Sequence, residues 1–191
     1  MRSQILSTAI ELFSRRGLDA VTIDEIAAAA DVGKGTVYNY FTTKEDIVVA
    51  FMADLEAHMA PKIARFRPGQ RPVHRVLADY ILLHFKLKEP YHAFVRVFLA
   101  QMFMDTARFF PYIVEMQKYI DPPLQSIFAA LEERGALRTG IDLPQLIMSF
   151  KTMHLGLTAL WAVEGPPFQQ TVQTVRQQMQ FFTEGILRKA Q

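Results

Sequence analysis

The sequence predicts an all-α fold, and three observations predict it. Apolar residues recur at helical spacing along nearly the whole chain. Helix-cap signals and helix-ending glycines punctuate that pattern. The alternating β-branched runs and Asn-Gly or Asp-Gly turns that announce hairpins are missing. A chain of 191 residues, half of them hydrophobic, is long enough for one or two small domains with a sizeable core. The absence of cysteine removes disulfides, thiol nucleophiles and cysteine-ligated zinc, and fits a reducing cytoplasm.

The elements follow in order. Ile5, Ala9, Leu12 and Phe13 share one face of a first helix that Gly17 ends. Thr22 and Glu25 form a T-x-x-E capping box, which opens a short second helix burying Ile26, Ala27 and Ala30. Asp31-Val32-Gly33 reads as a tight turn, and a third helix runs from Lys34 to Tyr40 or Phe41. Thr42 with Glu45, or Thr43 with Asp46, caps a long fourth helix carrying Ile47, Val48, Phe51, Met52, Leu55 and Met59, which Pro61 bends or ends. The Pro-, Gly- and Arg-rich stretch from Arg65 to Pro72 reads as a linker. Further helices are predicted over Val73–Lys88, Tyr91–Asp105, Pro111–Arg134, Leu143–Val163 and Gln169–Leu187. This divides the chain into residues 1–46, a connecting helix over 47–66, and a second domain over 67–191.

Two short helices around a three-residue turn match a helix-turn-helix. Small Ala27 lets the helices approach while Val32 and Val37 fill the space between them, so the third helix carries its polar face outward, able to enter a DNA major groove. Tyr38 and Tyr40 are long and amphipathic, suited to hydrogen-bonding phosphate oxygens while their rings pack. Lys44 falls in the first turn of the fourth helix, an unfavourable place for a cation unless a phosphate intervenes. The net charge is only +2, so the placement of charge must do what bulk charge does not.

The run "TIDEIAAAADVGKGTVYNYFTTKEDIV", preceded by "ILSTAIELFSRRG", resembles the DNA-binding domain of the TetR family of transcriptional regulators. The resemblance covers about the first quarter of the chain. It implies that Lys34, Gly35, Thr36 and Asn39 face bases or nearby backbone, and that Thr22, Tyr38, Tyr40 and Lys44 grip phosphates. Asn39 would pair with an adenine edge, Lys34 would approach a guanine, and Gly35 would permit close backbone contact. Asp31 stands where the turn usually carries glycine, and aspartate tolerates the left-handed conformation. No minor-groove arm is expected ahead of the first helix. The resemblance further implies a near-palindromic double-stranded operator, a homodimer, repression relieved by a small effector, and no enzymatic activity.

Other chemistries find little support. "GKGT" lacks the remainder of a phosphate-binding loop, and residue 28 is alanine where its first glycine belongs. The five histidines show no H-E-x-x-H pattern, so neither a metal site, a catalytic residue nor a cofactor is expected. The most apolar segment, Leu143 to Val163, is interrupted by Gln145, Lys151 and His154 and falls short of the about 20 apolar residues of a membrane span. A cytoplasmic protein with no membrane partner is expected.

The helix "YHAFVRVFLAQMFM" is apolar almost all round, which predicts burial or a cavity wall, with Arg96 requiring an anionic partner there. Phe98, Met102 and Phe103, with His84 and Trp161 (and His154 beside it) as polar points, suit a pocket for a lipophilic effector. In the last two helices, Phe150, Met153 and Leu157, and Val175, Met179 and Phe182, form stripes from which two chains would build a four-helix dimer interface.

Overall fold

A computed structural model describes residues 1–186. These form nine α-helices and one 3-10 turn, and no extended strand. The helices are α1 (Arg2–Arg16), α2 (Ile23–Ala29), α3 (Lys34–Tyr40), α4 (Lys44–Ile63), α5 (Val73–Lys88), α6 (His92–Met104), α7 (Thr106–Glu133), α8 (Leu143–Glu164) and α9 (Gln169–Ile186). The 3-10 turn, Glu89–Tyr91, precedes α6. Leu187, the expected end of the last helix, lies outside the described residues.

Packing divides the chain into two units. The first is Met1–His58 with Tyr91–Gln117, and the second is Met59–Pro90 with the chain from Lys118 onward. The expected boundary in Arg65–Pro72 therefore does not coincide with a division of packing. That segment lies inside the second unit, where Arg134 donates from one guanidinium nitrogen to Gly69 O (3.0 Å) and from another to Arg71 O (3.3 Å). Helix α6 belongs with the first unit because it packs on α1 and its Phe94 meets Phe51 edge to face at 4.8 Å.

In the first unit, α1 buries Ile5, Leu6, Ala9, Ile10 and Phe13, and Gly17 caps it at φ 80°. Two reciprocal caps fix the later helix starts. Thr22 Oγ1 accepts from Glu25 N (3.2 Å) while Thr22 N donates to the Glu25 carboxylate (2.8 Å). Of the two alternatives at α4, the structure uses Thr43 with Asp46: Thr43 N donates to Asp46 Oδ2 (2.8 Å), and Asp46 N to Thr43 Oγ1 (3.2 Å). Pro61 sits in the last turn of α4 and does not end it.

Helix α7 begins at Thr106, five residues before the expected Pro111, and runs through Pro111, Pro122 and Pro123. Its start is set by Asp105, whose carboxylate accepts from Arg108 N at 3.1 Å. Helix α6 is buried on one side only, contrary to the expectation from its sequence. It buries Phe94, Val95, Phe98, Leu99 and Met102, whereas Arg96 is exposed and Phe103 and Met104 are 62 % and 77 % exposed. The expectation of a buried Arg96 in need of an anion is thereby overturned, because the residue is exposed.

The second unit is built on α5, α8 and α9. Helix α5 packs on α9, and Val76, Leu77 and Ile81 of α5 and Val175 and Met179 of α9 are fully buried. Trp161 lies between Phe85 (5.3 Å, 16°) and Phe168 (5.0 Å, 24°). Tyr80, His84, Phe150 and His154 form a ring cluster, with His84 and His154 centroids 4.9 Å apart. By length and composition alone, helix α8 passes for a membrane span despite the interruptions at Gln145, Lys151 and His154, with a third of that stretch buried inside the chain. Its Lys151 pairs with Asp121 at 2.7 Å.

Candidate nucleic-acid interface

Helices α2 and α3 pack on each other across residues 30–33. Asp31 takes φ 52°, the left-handed conformation anticipated for this position, and Val32 N closes the turn onto Ala27 O (3.0 Å). Helix α3 buries a single residue, Val37, at 0 % exposure. Everything else on it points outward or sits at the edge. Tyr38 and Tyr40 are 48 % and 47 % exposed, which disposes of a core role for Tyr38. Asn39 and Gly35 are exposed, and Thr36 is half-buried. A seven-residue helix that spends one side chain on the core and presents tyrosine, asparagine and lysine to solvent is supported by its neighbours and is open to a partner.

The surrounding electrostatics hold this helix in place. Glu25, besides its cap, accepts from Arg16 at 2.8 Å. The Thr22 backbone N–H and then the Arg16 guanidinium lower its carboxyl to about 2. Lys34 Nζ lies 2.8 Å from Asp24, and that carboxylate raises the lysine. Both side chains are more than half exposed, so the pair is a weak one that a phosphate or base edge could replace.

Lys44 has a use that sequence reasoning missed. Its ammonium donates to Leu18 O (2.7 Å) and Val21 O (2.8 Å), tying the start of α4 to the α1–α2 connection. An ammonium has three donors, so one remains for a phosphate. Arg108 of α7 was also missed. It reaches the same helix start, donating to Thr43 Oγ1 (2.5 Å) and standing 3.4 Å from Asp46 and 3.7 Å from Glu45. The signal for it was the acidic pair Glu45-Asp46, which a base from another helix can reach.

Gly35 is informative because the fold does not require it. Its backbone is not left-handed, and a Cβ built there would meet nothing within 4 Å. Glycine inside a helix costs about 1 kcal/mol relative to alanine. Nothing within the described residues explains that cost, whereas close approach of an external backbone would.

The other expected sites are dispersed. His84 and Trp161 lie in the second unit, whereas Phe98 and Met102 are buried in the first and Arg96 and Phe103 are exposed. Of the expected dimer residues, Phe150, Leu157, Val175 and Met179 are buried within the chain's own core, and Met153 and Phe182 are half-buried. The apolar side chains that α8 and α9 leave outward are others: Met148 (53 %), Leu155, Leu160, Val163 and Phe181 (70 %).

Residues 5–51, which span most of α1, all of α2 and α3 and the start of α4, match the family described as "Bacterial regulatory proteins, tetR family". The HTH-type transcriptional repressor KstR2 of Mycobacterium tuberculosis is 29 % identical over 188 residues, 93 % of this chain and 88 % of the relative. Among solved structures, the transcriptional regulator FadR from Bacillus subtilis in complex with stearoyl-CoA superposes with a TM-score of 0.79 at 20 % identity, over 97 % of this chain and 100 % of that one. Thermus thermophilus FadR in complex with lauroyl-CoA gives 0.69 at 22 %, over 100 % and 97 %. These two likenesses concern the fold. The family match covers residues 5–51 and takes in the outward-facing α3, so that segment is similar to the DNA-binding domain of the TetR family of bacterial regulatory proteins.

Proposed function

We propose that this protein is a homodimeric repressor whose two α3 helices enter successive major grooves of a near-palindromic operator, and that a lipophilic effector bound in the second unit releases it. The observation that carries the DNA half is α3 itself, with Val37 as its single anchor and an outward face of Lys34, Tyr38, Asn39 and Tyr40. Lys34, Gly35, Thr36 and Asn39 are assigned to bases or adjacent backbone, and Thr22, Tyr38, Tyr40 and Lys44 to phosphates. Half-sites then lie about 34–36 Å apart, or a multiple of that.

Two substitutions test these assignments. Gly35→Ala should stabilise the fold by about 0.5–1 kcal/mol in urea denaturation while weakening operator binding, a combination that a merely structural glycine cannot give. Stronger or unchanged DNA binding would remove Gly35 from the interface. Lys44→Ala should weaken binding to all sequences alike and reduce the salt slope of log K by about 1. An unchanged slope would leave Lys44 only its carbonyl contacts.

The effector half rests on the ring cluster of the second unit. His84 is 2 % exposed, and among the described residues its Nε2 has no hydrogen-bond partner. An unsatisfied buried nitrogen costs about 1–3 kcal/mol, and a ligand with a polar end beside His84 and His154 would recover it. Two FadR structures of this fold hold acyl-CoA molecules, and that supports an acyl chain as the apolar part. A coupling of about 1–3 kcal/mol between effector and operator would change DNA affinity about 5–150-fold. For the dimer, Met148, Leu155, Leu160 and Val163 of α8 with Phe181 of α9 offer the exposed apolar face that a four-helix interface needs. A monomeric mass at micromolar concentration would rule that out.

A further inference from the structure

The chain has a second concentration of charge, far along the sequence from the helix-turn-helix. A cleft of about 590 Å³ runs between α5 and α9 in the second unit, walled by Arg71, Arg75 and Asp79 on one side and Arg176, Gln177 and Gln180 on the other. Three arginines against one aspartate give it a net charge as large as the +2 of the entire chain.

The arginines are not equivalent. Arg71 is fully engaged: it pairs with Asp79 at 2.5 Å, donates to Arg67 O (2.7 Å) and Pro68 O (3.2 Å), and lies over the Phe66 ring. It neutralises the one carboxylate in the cleft. Arg75 and Arg176 are different. Among the described residues neither guanidinium has a hydrogen-bond or ion-pair partner, and they line one cleft from two separate helices.

The scaffold beneath them is fixed. Helices α5 and α9 pack on each other, and Val76 and Ala78 of α5 and Val175 and Met179 of α9 are buried. Two like charges are thus carried into a shared concavity on rigid elements and left without a counter-charge, which only solvent screening offsets. An ordinary solvated arginine face needs neither the concavity nor the convergence.

We infer that the α5–α9 cleft is a binding site for a phosphorylated small molecule of nucleotide size. Guanidinium is the side chain that matches phosphate oxygens in bidentate fashion, and a diphosphate would span contacts from both helices. The volume lies within the about 300–1,000 Å³ of small-molecule sites. Gln177 and Gln180, one turn along α9, supply amides that donate to and accept from a sugar or base. The site is separate from the His84 cluster, and it stands whether or not that cluster takes an effector.

The test is calorimetric titration of the full chain with ADP, pyrophosphate and adenosine, on wild type and on R75Q/R176Q. Both side chains are exposed, so the double variant should keep its melting temperature; the single variants R75Q and R176Q serve if it does not. ADP and pyrophosphate should saturate with Kd below about 1 mM, adenosine should not bind, and the double variant should weaken ADP at least about tenfold. Adenosine binding as tightly as ADP, or ADP binding unchanged in the double variant, would overturn the inference. So would a double variant that loses affinity for random-sequence duplex while ADP binds neither protein, because the cleft would then be a contact for the DNA backbone.

Discussion

Truncating Trp161 to alanine lowers the unfolding free energy by about 3–5 kcal/mol. The indole is 1 % exposed and stacked between Phe85 and Phe168, so its removal leaves a cavity between three elements of the second unit. The sequence offered Trp161 as a polar point of an effector pocket; its position makes it a core ring first. Urea denaturation at neutral pH measures the loss. A loss below about 1 kcal/mol would mean that the aromatic stack contributes little and would return Trp161 to the list of ligand contacts. DNA binding by whatever fraction of W161A remains folded should match wild type, because the helix-turn-helix belongs to the other unit.

Acidification should destabilise the chain before its carboxylates begin to titrate. Burial pushes His84 well below the ordinary histidine value, with His154 and Lys88 adding repulsion, and burial with Lys88 takes His154 down to about 3. His154 is only partly buried as a residue, yet its ring is packed against Tyr80, His84, Phe85 and Phe150, which accounts for the shift. The sign follows from linkage. Both rings are neutral in the folded state, whereas the unfolded chain protonates them near 6.5, so below that pH the unfolded state binds more protons and stability falls. Between pH 7 and pH 5 the loss approaches about 2 kcal/mol for each histidine that stays neutral. Above pH 7 there is no effect. His84→Leu should remove about half of the loss. Equal stability at pH 7 and pH 5 would contradict the burial of both rings.

The parts of the fold legible in the sequence were those governed by local chemistry. The Thr22–Glu25 box, the left-handed Asp31, the glycine after α1 and the bounds of α5 follow from a few neighbouring residues each. What failed depended on tertiary partners. Helix α6 has apolar residues on every side, so its periodicity could not say that Arg96, Phe103 and Met104 would face outward. The prolines of α7 concealed a helix start that Asp105 caps. In α8 and α9 the helical period gave apolar stripes but could not tell core from outer face, and Phe150, Leu157, Val175 and Met179 went to the core. In the helix-turn-helix, the composition of α3 was readable as an outward face. The engagement of Lys44 with two carbonyls was not, because nothing local marks Leu18 O and Val21 O as acceptors.

In the proposed function, α3 reads an operator as part of a dimer. Fluorescence anisotropy with labelled DNA from immediately upstream of the chain's own gene, at two salt concentrations and against random DNA, tests it most directly. Saturable binding tighter than to random DNA, with two chains per site or a multiple, is the predicted result, and Asn39→Ala should relax the preference at one base position. No binding to either DNA would contradict the account of α3.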